Sequence, residues 1–89
     1  MDVTFDPAKD LLNQVVHGLS LSLASELEWD TLMSRPDQRR NYGEPRMIGY
    51  ALRGERLYCV VYVDREDARR IIRLRKANSR EVIRYAEND

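Results

Sequence analysis

The chain is poor in the residues that build disulfides and zinc sites, and it lacks long apolar runs. It has one cysteine, Cys59, and one histidine, His17. A single thiol excludes an intramolecular disulfide, and one histidine with one cysteine cannot form the usual zinc site. No apolar run is long enough to cross a bilayer, and there is no secretory signal pattern. We therefore expect a cytoplasmic protein that needs no metal or other cofactor.

Lysine is also scarce, because 13 of the 15 basic residues are arginine. The guanidinium group is a planar, permanently charged fork that binds phosphate through two hydrogen bonds. Seven basic residues fall within residues 69–84, where Glu81 is the only acid. This stretch favours phosphate recognition, although arginine stems also cover apolar surface in ordinary proteins.

The net charge of zero conceals two halves of opposite sign. Residues 1–34 carry six acids and one lysine, a balance of five negative charges, and residues 35–89 carry fourteen bases and nine acids, a balance of five positive charges. The asymmetry favours a basic groove with an acidic side. A length of 89 residues predicts a single domain, 1–89.

The first third of the sequence predicts two helices. Asp6 and Pro7 form a helix start, and Gly18 provides a left-handed end. Apolar residues between them recur with helical spacing, which predicts one buried stripe. A second helix follows from Ser20 to about Glu28. The residues predicted to face inward are Ala8, Leu11, Leu12, Val15 and Val16 in the first helix and Leu23, Ala24 and Leu27 in the second.

The rest of the sequence favours strands. Val3 to Phe5 is a candidate short strand, and 35–45 is rich in turn residues. Gly54-Glu55 links two runs, 46–53 and 56–63, as a hairpin of the Gly-X type, and 69–76 forms the next strand.

The final helix starts at a capping box, Asn78 to Glu81, and is predicted to run to about Ala86 and to bury Val82, Tyr85 and Ala86. The sum is an α+β domain with two N-terminal helices and a C-terminal helix packed on a small antiparallel sheet.

Alternation along the last strand places Arg69, Arg73 and Arg75 on one surface, opposite Ile72 and Leu74. Acids such as Glu44, Glu55 or Asp64 would neutralise individual arginines, whereas a polyanion would satisfy the cluster. Arg46 and Arg65 lie near the same surface in the predicted sheet.

Lys9, Asn13 and His17 recur every four residues on the flank of the first helix, so they form one polar stripe able to hold a phosphodiester. Histidine suits proton transfer near neutral pH, although His17 would also simply cap its helix. Tyr42 is a candidate for base stacking in a loop, and Cys59 is expected to be a small core residue without a nucleophilic role.

Together these motifs resemble the BrnT family of toxins along nearly the whole chain. The resemblance is carried by Phe5-Asp6, Lys9, Asn13, His17-Gly18, Tyr42-Gly43-Glu44-Pro45-Arg46, Ile48-Gly49, Arg65, Arg70-Ile71-Ile72, Arg75-Lys76-Ala77, Glu81 and Tyr85. Val16, Leu21 and Arg73 depart from the family pattern, and Arg73 adds a charge to the expected active face.

This resemblance implies a RelE-like fold and a type II toxin-antitoxin system in which the toxin is an endoribonuclease that arrests growth. It also implies a BrnA-type antitoxin, a ribbon-helix-helix protein that binds DNA and neutralises the toxin in a heterotetramer. The toxin would then contact DNA only indirectly, and no membrane would be involved.

RNA cleavage without a metal needs proton transfer and cations around the charged phosphorane. We assign His17 as acid or base, Glu44 as its complement, and Arg46, Arg65 and Arg75 as the phosphate clamp. The catalytic candidates are thus His17, Glu44, Arg65 and Arg75, and the candidates for binding RNA or phosphate are Lys9, Asn13, Arg46, Arg69 and Arg73.

Two alternatives stay open at this level. One is a module of the same fold that binds RNA or protein without cleaving anything. The other makes the acidic N-terminal half a protein-interaction surface and leaves the arginines a structural role.

Overall fold

A computed structural model describes residues 1–39, 41 and 43–88 of the chain. They form five strands, two α-helices and a 3-10 helix. In chain order these are β1 (Asp2–Phe5), α1 (Pro7–His17), the 3-10 helix (Leu21–Glu26), β2 (Glu28–Pro36), β3 (Met47–Arg53), β4 (Arg56–Arg65), β5 (Ala68–Lys76) and α2 (Ser79–Glu87).

The strands form one sheet in the order β1-β5-β4-β3-β2. Strands β2 to β5 make an antiparallel meander, but β1 lies parallel to β5 at the edge. The α+β class is therefore confirmed, whereas the prediction of a purely antiparallel sheet is wrong. The alternation of side chains shows which residues share a face of a strand, but it is the same for parallel and antiparallel strands.

The hairpin of β3 and β4 is confirmed, and β4 is the centre of the sheet. Residues 57–63 of β4 are all buried, because both faces of this strand are covered. The core face of the sheet carries Tyr58, Val60 and Tyr62, and it packs on the 3-10 helix. The opposite face, which we call the arginine face, carries Cys59 and Val61 opposite Arg75 and Arg73 of β5.

The segment after α1 is shorter and tighter than the predicted second α-helix. Ser20 caps it as predicted, but the chain makes a six-residue 3-10 helix and enters β2 at Glu28. Ala24 and Leu27 are buried and Leu23 is partly buried, so the inward positions are confirmed. Strand β2 was not predicted, because its outer residues are exposed and give no clear alternation.

Strands β2 and β3 approach each other closely at Gly49. A Cβ atom on Gly49 would lie 2.7 Å from Cδ1 of Leu32 and 2.9 Å from Cβ of Ser34. Real Cβ atoms do not come so close, so a larger residue would push β2 away. This contact gives the Ile48-Gly49 pair a packing role.

Helix α1 begins and ends where the sequence predicts. The Asp6 carboxylate accepts a hydrogen bond from the backbone N–H of Ala8 at 2.8 Å. Gly18 takes a left-handed conformation with φ 72° and closes the helix, as expected for a glycine at this position.

The apolar side of α1, however, faces solvent, so the prediction of a buried stripe is wrong. The side chains of what we call the apolar stripe are all well exposed: Leu11 66%, Leu12 62%, Val15 83% and Val16 61%. Ala8 is exposed as well, and the only buried residue of the helix is Asn13. Periodicity identified the amphipathic helix correctly but not the side that packs inward.

Asn13 is buried because it continues the sheet where β1 stops. Strand β1 pairs with β5 only as far as Ile71. Beyond that point the Asn13 amide accepts from the N–H of Leu74 at 3.1 Å and donates to the carbonyl of Leu74 at 2.8 Å. It also donates to the carbonyl of Leu19 at 2.9 Å. These bonds satisfy backbone groups that would otherwise be left unpaired.

Helix α2 is held on the arginine face by polar contacts. Its capping box of Asn78 and Glu81 is confirmed, but none of its residues is buried, and Val82 is 45% exposed. The predicted burial of Val82 and Ala86 is therefore wrong. The helix is fixed instead by Tyr85, whose hydroxyl donates to the carbonyl of Thr31, and by Glu81.

Glu81 lies at the centre of a small network. Its carboxylate accepts from both terminal nitrogens of Arg75, at 2.8 and 2.9 Å, and from the Tyr50 hydroxyl at 2.8 Å. The hydrogen bond from Arg75 is the main reason that the pKa of Glu81 is lowered to about 2, and the other hydrogen bonds act in the same direction.

Asn13→Ala should destabilise the protein by about 2–6 kcal/mol, because two backbone groups of Leu74 lose their partner and each such group costs about 1–3 kcal/mol. Urea unfolding measures the change. Gln14→Ala on the exposed side of the same helix should change stability by less than about 0.5 kcal/mol. Equal effects of the two variants would contradict the anchoring role.

The Glu81 network should make stability depend on acid pH. The pKa of Glu81 falls from its ordinary 4.5 to about 2 on folding, so the carboxylate stabilises the fold above pH 4.5. This contribution is lost as the pH falls from 4.5 to about 2. Denaturant titrations of wild type and Glu81→Gln should differ most at neutral pH and converge near pH 2. Glutamine keeps the capping role, and Glu55→Gln controls for loss of a carboxylate.

Candidate functional site

A β-bulge in β5 decides which arginines share a surface. Val61 of β4 pairs with Arg73 and Tyr62 pairs with Ile71, so Ile72 is an extra residue. The alternation therefore changes phase at this point. Arg73 and Arg75 point to the arginine face as predicted, but Arg69 points to the core face.

The assignment of Arg69 to the phosphate surface is thus corrected. Its guanidinium lies over the rings of Trp29 and Tyr62, at 4.9 and 4.2 Å from their centroids. It also binds the Asp64 carboxylate at 2.6 and 3.0 Å, and its side chain is only 14% exposed. Arg69 is a packed and neutralised part of the core face. Arg70, opposite Val63, takes its place on the arginine face.

Several of the predicted site residues lie around one groove, which we call the cationic groove. Four basic side chains from three segments meet there: Lys9 and His17 of α1, Arg46 before β3, and Arg73 of β5. The groove encloses about 380 Å³, and Leu12, Val16 and Ile72 complete its walls. The bulge brings Ile72 to this wall.

Three of these basic side chains are available for an anion. Among the residues that the structure describes, Lys9, His17 and Arg73 form no ion pair with a carboxylate. A phosphodiester in the groove would meet an ammonium, an imidazole and a guanidinium. The arrangement can bind phosphate and can transfer a proton from one side chain.

Asn13 also borders the groove, but its amide group is already engaged with the backbone. Both amide hydrogens and the amide oxygen are already bonded to the backbone of Leu19 and Leu74. The sequence correctly placed Asn13 in line with Lys9 and His17, and the structure gives it an anchoring role instead of a binding role.

Arg75 lies next to the groove in a smaller depression of about 90 Å³. The depression is floored by Cys59 and Val61 and is bordered by Arg39, Arg73 and Arg75. Arg73 therefore belongs to both spaces. The two hydrogen bonds to Glu81 hold the Arg75 guanidinium in place and raise its pKa. Sequence alternation could not identify Arg39, which lies in a loop and is bound to Asp37.

Glu44 and Arg65 bind each other, and neither of them lines the cationic groove. Nη2 of Arg65 lies 3.1 and 3.0 Å from the two carboxylate oxygens of Glu44. Glu44 lines a depression together with residues 36–38, 41, 43, 45 and 46, and this depression shares Arg46 with the cationic groove. The sequence left open whether Glu44 neutralises one of the arginines. In the fold it does so, and the arginine is Arg65.

Cys59 is a core residue, as predicted, with 3% of its surface exposed. Burial raises the pKa of its thiol, which keeps it protonated and makes it a poor nucleophile. Tyr42, the predicted base-stacking residue, lies outside the described residues. Within the described part of the chain, three or more metal-ligating side chains do not come together, and no helix is long and apolar enough to span a membrane.

Comparison with known proteins identifies the family of this chain. No curated protein matches it. A family model described as the ribonuclease toxin BrnT of a type II toxin-antitoxin system matches residues 5–81, which include all the predicted site residues. Since this match spans most of the 89 residues, the chain belongs to the BrnT family of ribonuclease toxins of type II toxin-antitoxin systems.

Proposed function

We propose that this chain is a metal-independent endoribonuclease that arrests growth by cleaving RNA in the cationic groove. The observation that carries the proposal is the meeting of the only histidine with Lys9, Arg46 and Arg73 in one groove. Family membership supplies the class of reaction and the class of substrate.

The groove suggests a division of labour. The Arg73 and Arg46 guanidiniums would contact the non-bridging oxygens of the scissile phosphate, and Lys9 would hold a neighbouring phosphate. Charge grows on these oxygens as the phosphorane forms, so cations fixed beside them stabilise the transition state more than the ground state. Arg75, fixed by Glu81, would extend the clamp along the arginine face.

His17 would act as the proton-transfer group. It would take the proton of the 2′-hydroxyl as that oxygen attacks phosphorus, or give a proton to the departing 5′-oxygen. Glu44 is a weak candidate for the complementary step, because its carboxylate is bound to Arg65. We propose that the Glu44–Arg65 pair ties its loop to β4 and that electrostatic stabilisation supplies most of the rate.

Several further properties belong to the same proposal. They are a RelE-like arrangement of a single toxin domain over 1–89, a cytoplasmic site of action, and neutralisation by a BrnA-type ribbon-helix-helix antitoxin in a heterotetramer. An antitoxin partner of some kind and an RNA substrate follow from the family itself.

A second candidate function is RNA binding without cleavage. It is favoured by one observation: the groove offers a single proton-transfer side chain, since Glu44 is engaged with Arg65. Both functions require salt-sensitive RNA binding, because both bind phosphates through cations. Only the enzyme produces fragments from labelled RNA.

Arg73→Ala should lower the cleavage rate about a hundredfold to a thousandfold, the usual cost of one lost donor to a developing oxyanion. The rate is measured on labelled RNA with a chelator present. Arg56→Ala in the β3–β4 hairpin removes the same charge at a position that does not line the groove, and it should leave the rate nearly unchanged. Equal losses in both variants would indicate an effect of net charge and would contradict the assignment of Arg73.

His17→Gln should abolish detectable cleavage yet retain RNA binding, because Lys9 and Arg73 still hold the phosphates. Gel shifts and cleavage assays on the same preparation separate the two effects. Glu44→Gln is the comparison: loss of a general acid or base costs about 10²–10⁴ in rate, and we expect a much smaller change here. A large loss would restore Glu44 as the complement of His17, and full activity of His17→Gln would contradict our mechanism.

A further inference from the structure

The apolar stripe is the least expected surface of the molecule. Four large aliphatic side chains on two adjacent turns of α1 are between 61% and 83% exposed. Single exposed apolar residues are ordinary, but a contiguous row on one helix marks an interaction surface. No rotation of α1 can bury the row, because Asn13 holds the opposite side of the helix on β5.

The stripe is continuous with the cationic groove. Leu12 and Val16 belong to the stripe and also line the groove beside Lys9, His17 and Arg73. A partner lying along the stripe would therefore have cations along one border. Among the described residues, no carboxylate pairs with Lys9, His17 or Arg73, so a complementary partner would bring acids of its own.

This charge pattern separates the possible occupants. RNA can satisfy the cations but cannot bury an aliphatic row. A second copy of the chain can bury the row, but an antiparallel two-fold pair of α1 helices would place the two cationic borders against each other. An amphipathic segment with apolar residues on one side and carboxylates on its edge satisfies both requirements.

We propose that the apolar stripe is the docking surface for an acidic amphipathic segment of the antitoxin, whose carboxylates enter the cationic groove. The competition with RNA rests on the proposed function, because that function makes the groove the RNA site. Docking covers that site, so the antitoxin and RNA exclude each other. The stripe supplies affinity through apolar burial, and the groove supplies orientation and salt dependence.

The probe is the protein encoded in the reading frame next to this chain's gene, titrated into the purified full chain by calorimetry. Leu11→Gln and Val15→Gln change the stripe at positions that do not line the groove. Each should weaken binding at least about tenfold, because a polar amide replaces an aliphatic side chain that docking buries. Val82→Gln and Ile83→Gln on α2, which are 45% and 60% exposed in the parent chain, are matched controls and should bind as wild type does.

Two further measurements complete the test. The wild-type affinity should fall with rising salt, and the probe should displace labelled RNA. Leu11→Gln and Val15→Gln should cleave RNA at the wild-type rate when no antitoxin is present.

The docking proposal is overturned if the stripe variants bind the probe as tightly as wild type, or if wild type does not bind it. It is also overturned if the free chain sediments as a dimer that Leu11→Gln converts to a monomer, since a second copy is then the occupant. If wild type cleaves no RNA but binds the probe through the stripe, the ribonuclease proposal fails and the docking surface stands.

Discussion

The hydrogen bonds between Asn13 and the backbone of Leu74 fix the position of α1, and both the cationic groove and the apolar stripe depend on that position. Strand β1 is too short to cover the edge of β5, so a side-chain amide replaces the missing strand. With Asn13 inward, Lys9 and His17 come to the border of the arginine face. The apolar side of the same helix then faces solvent.

A second constraint is the bulge at Ile72, which distributes the arginines of β5 between the two faces of the sheet. It sends Arg69 to the core face, where Trp29, Tyr62 and Asp64 hold it. It leaves Arg73 on the arginine face at the junction of two spaces. One inserted residue therefore separates a structural cation from one that can meet a substrate.

A net charge of zero is compatible with binding a polyanion, because the charges are unevenly paired. Arg65, Arg69 and Arg75 are each bound to a carboxylate, and these pairs stabilise loops, packing and helix α2. The cations of the groove retain a local field that the total charge does not reveal. If both of our proposals hold, this field beside an apolar row makes one region the site of two competing occupants, a nucleic acid and a protein.

Local signals were enough to predict several elements: the caps of α1 at Asp6 and Gly18, the β3–β4 hairpin and the capping box of α2. The sequence motifs also predicted the family, and they identified His17, Lys9 and Arg73 as candidates. Long-range packing settled which side of α1 packs inward, where β5 changes phase, and which arginines are neutralised. Caps and turns depend on neighbouring residues, whereas these other properties depend on atoms far apart in the chain, such as Asn13 and Leu74.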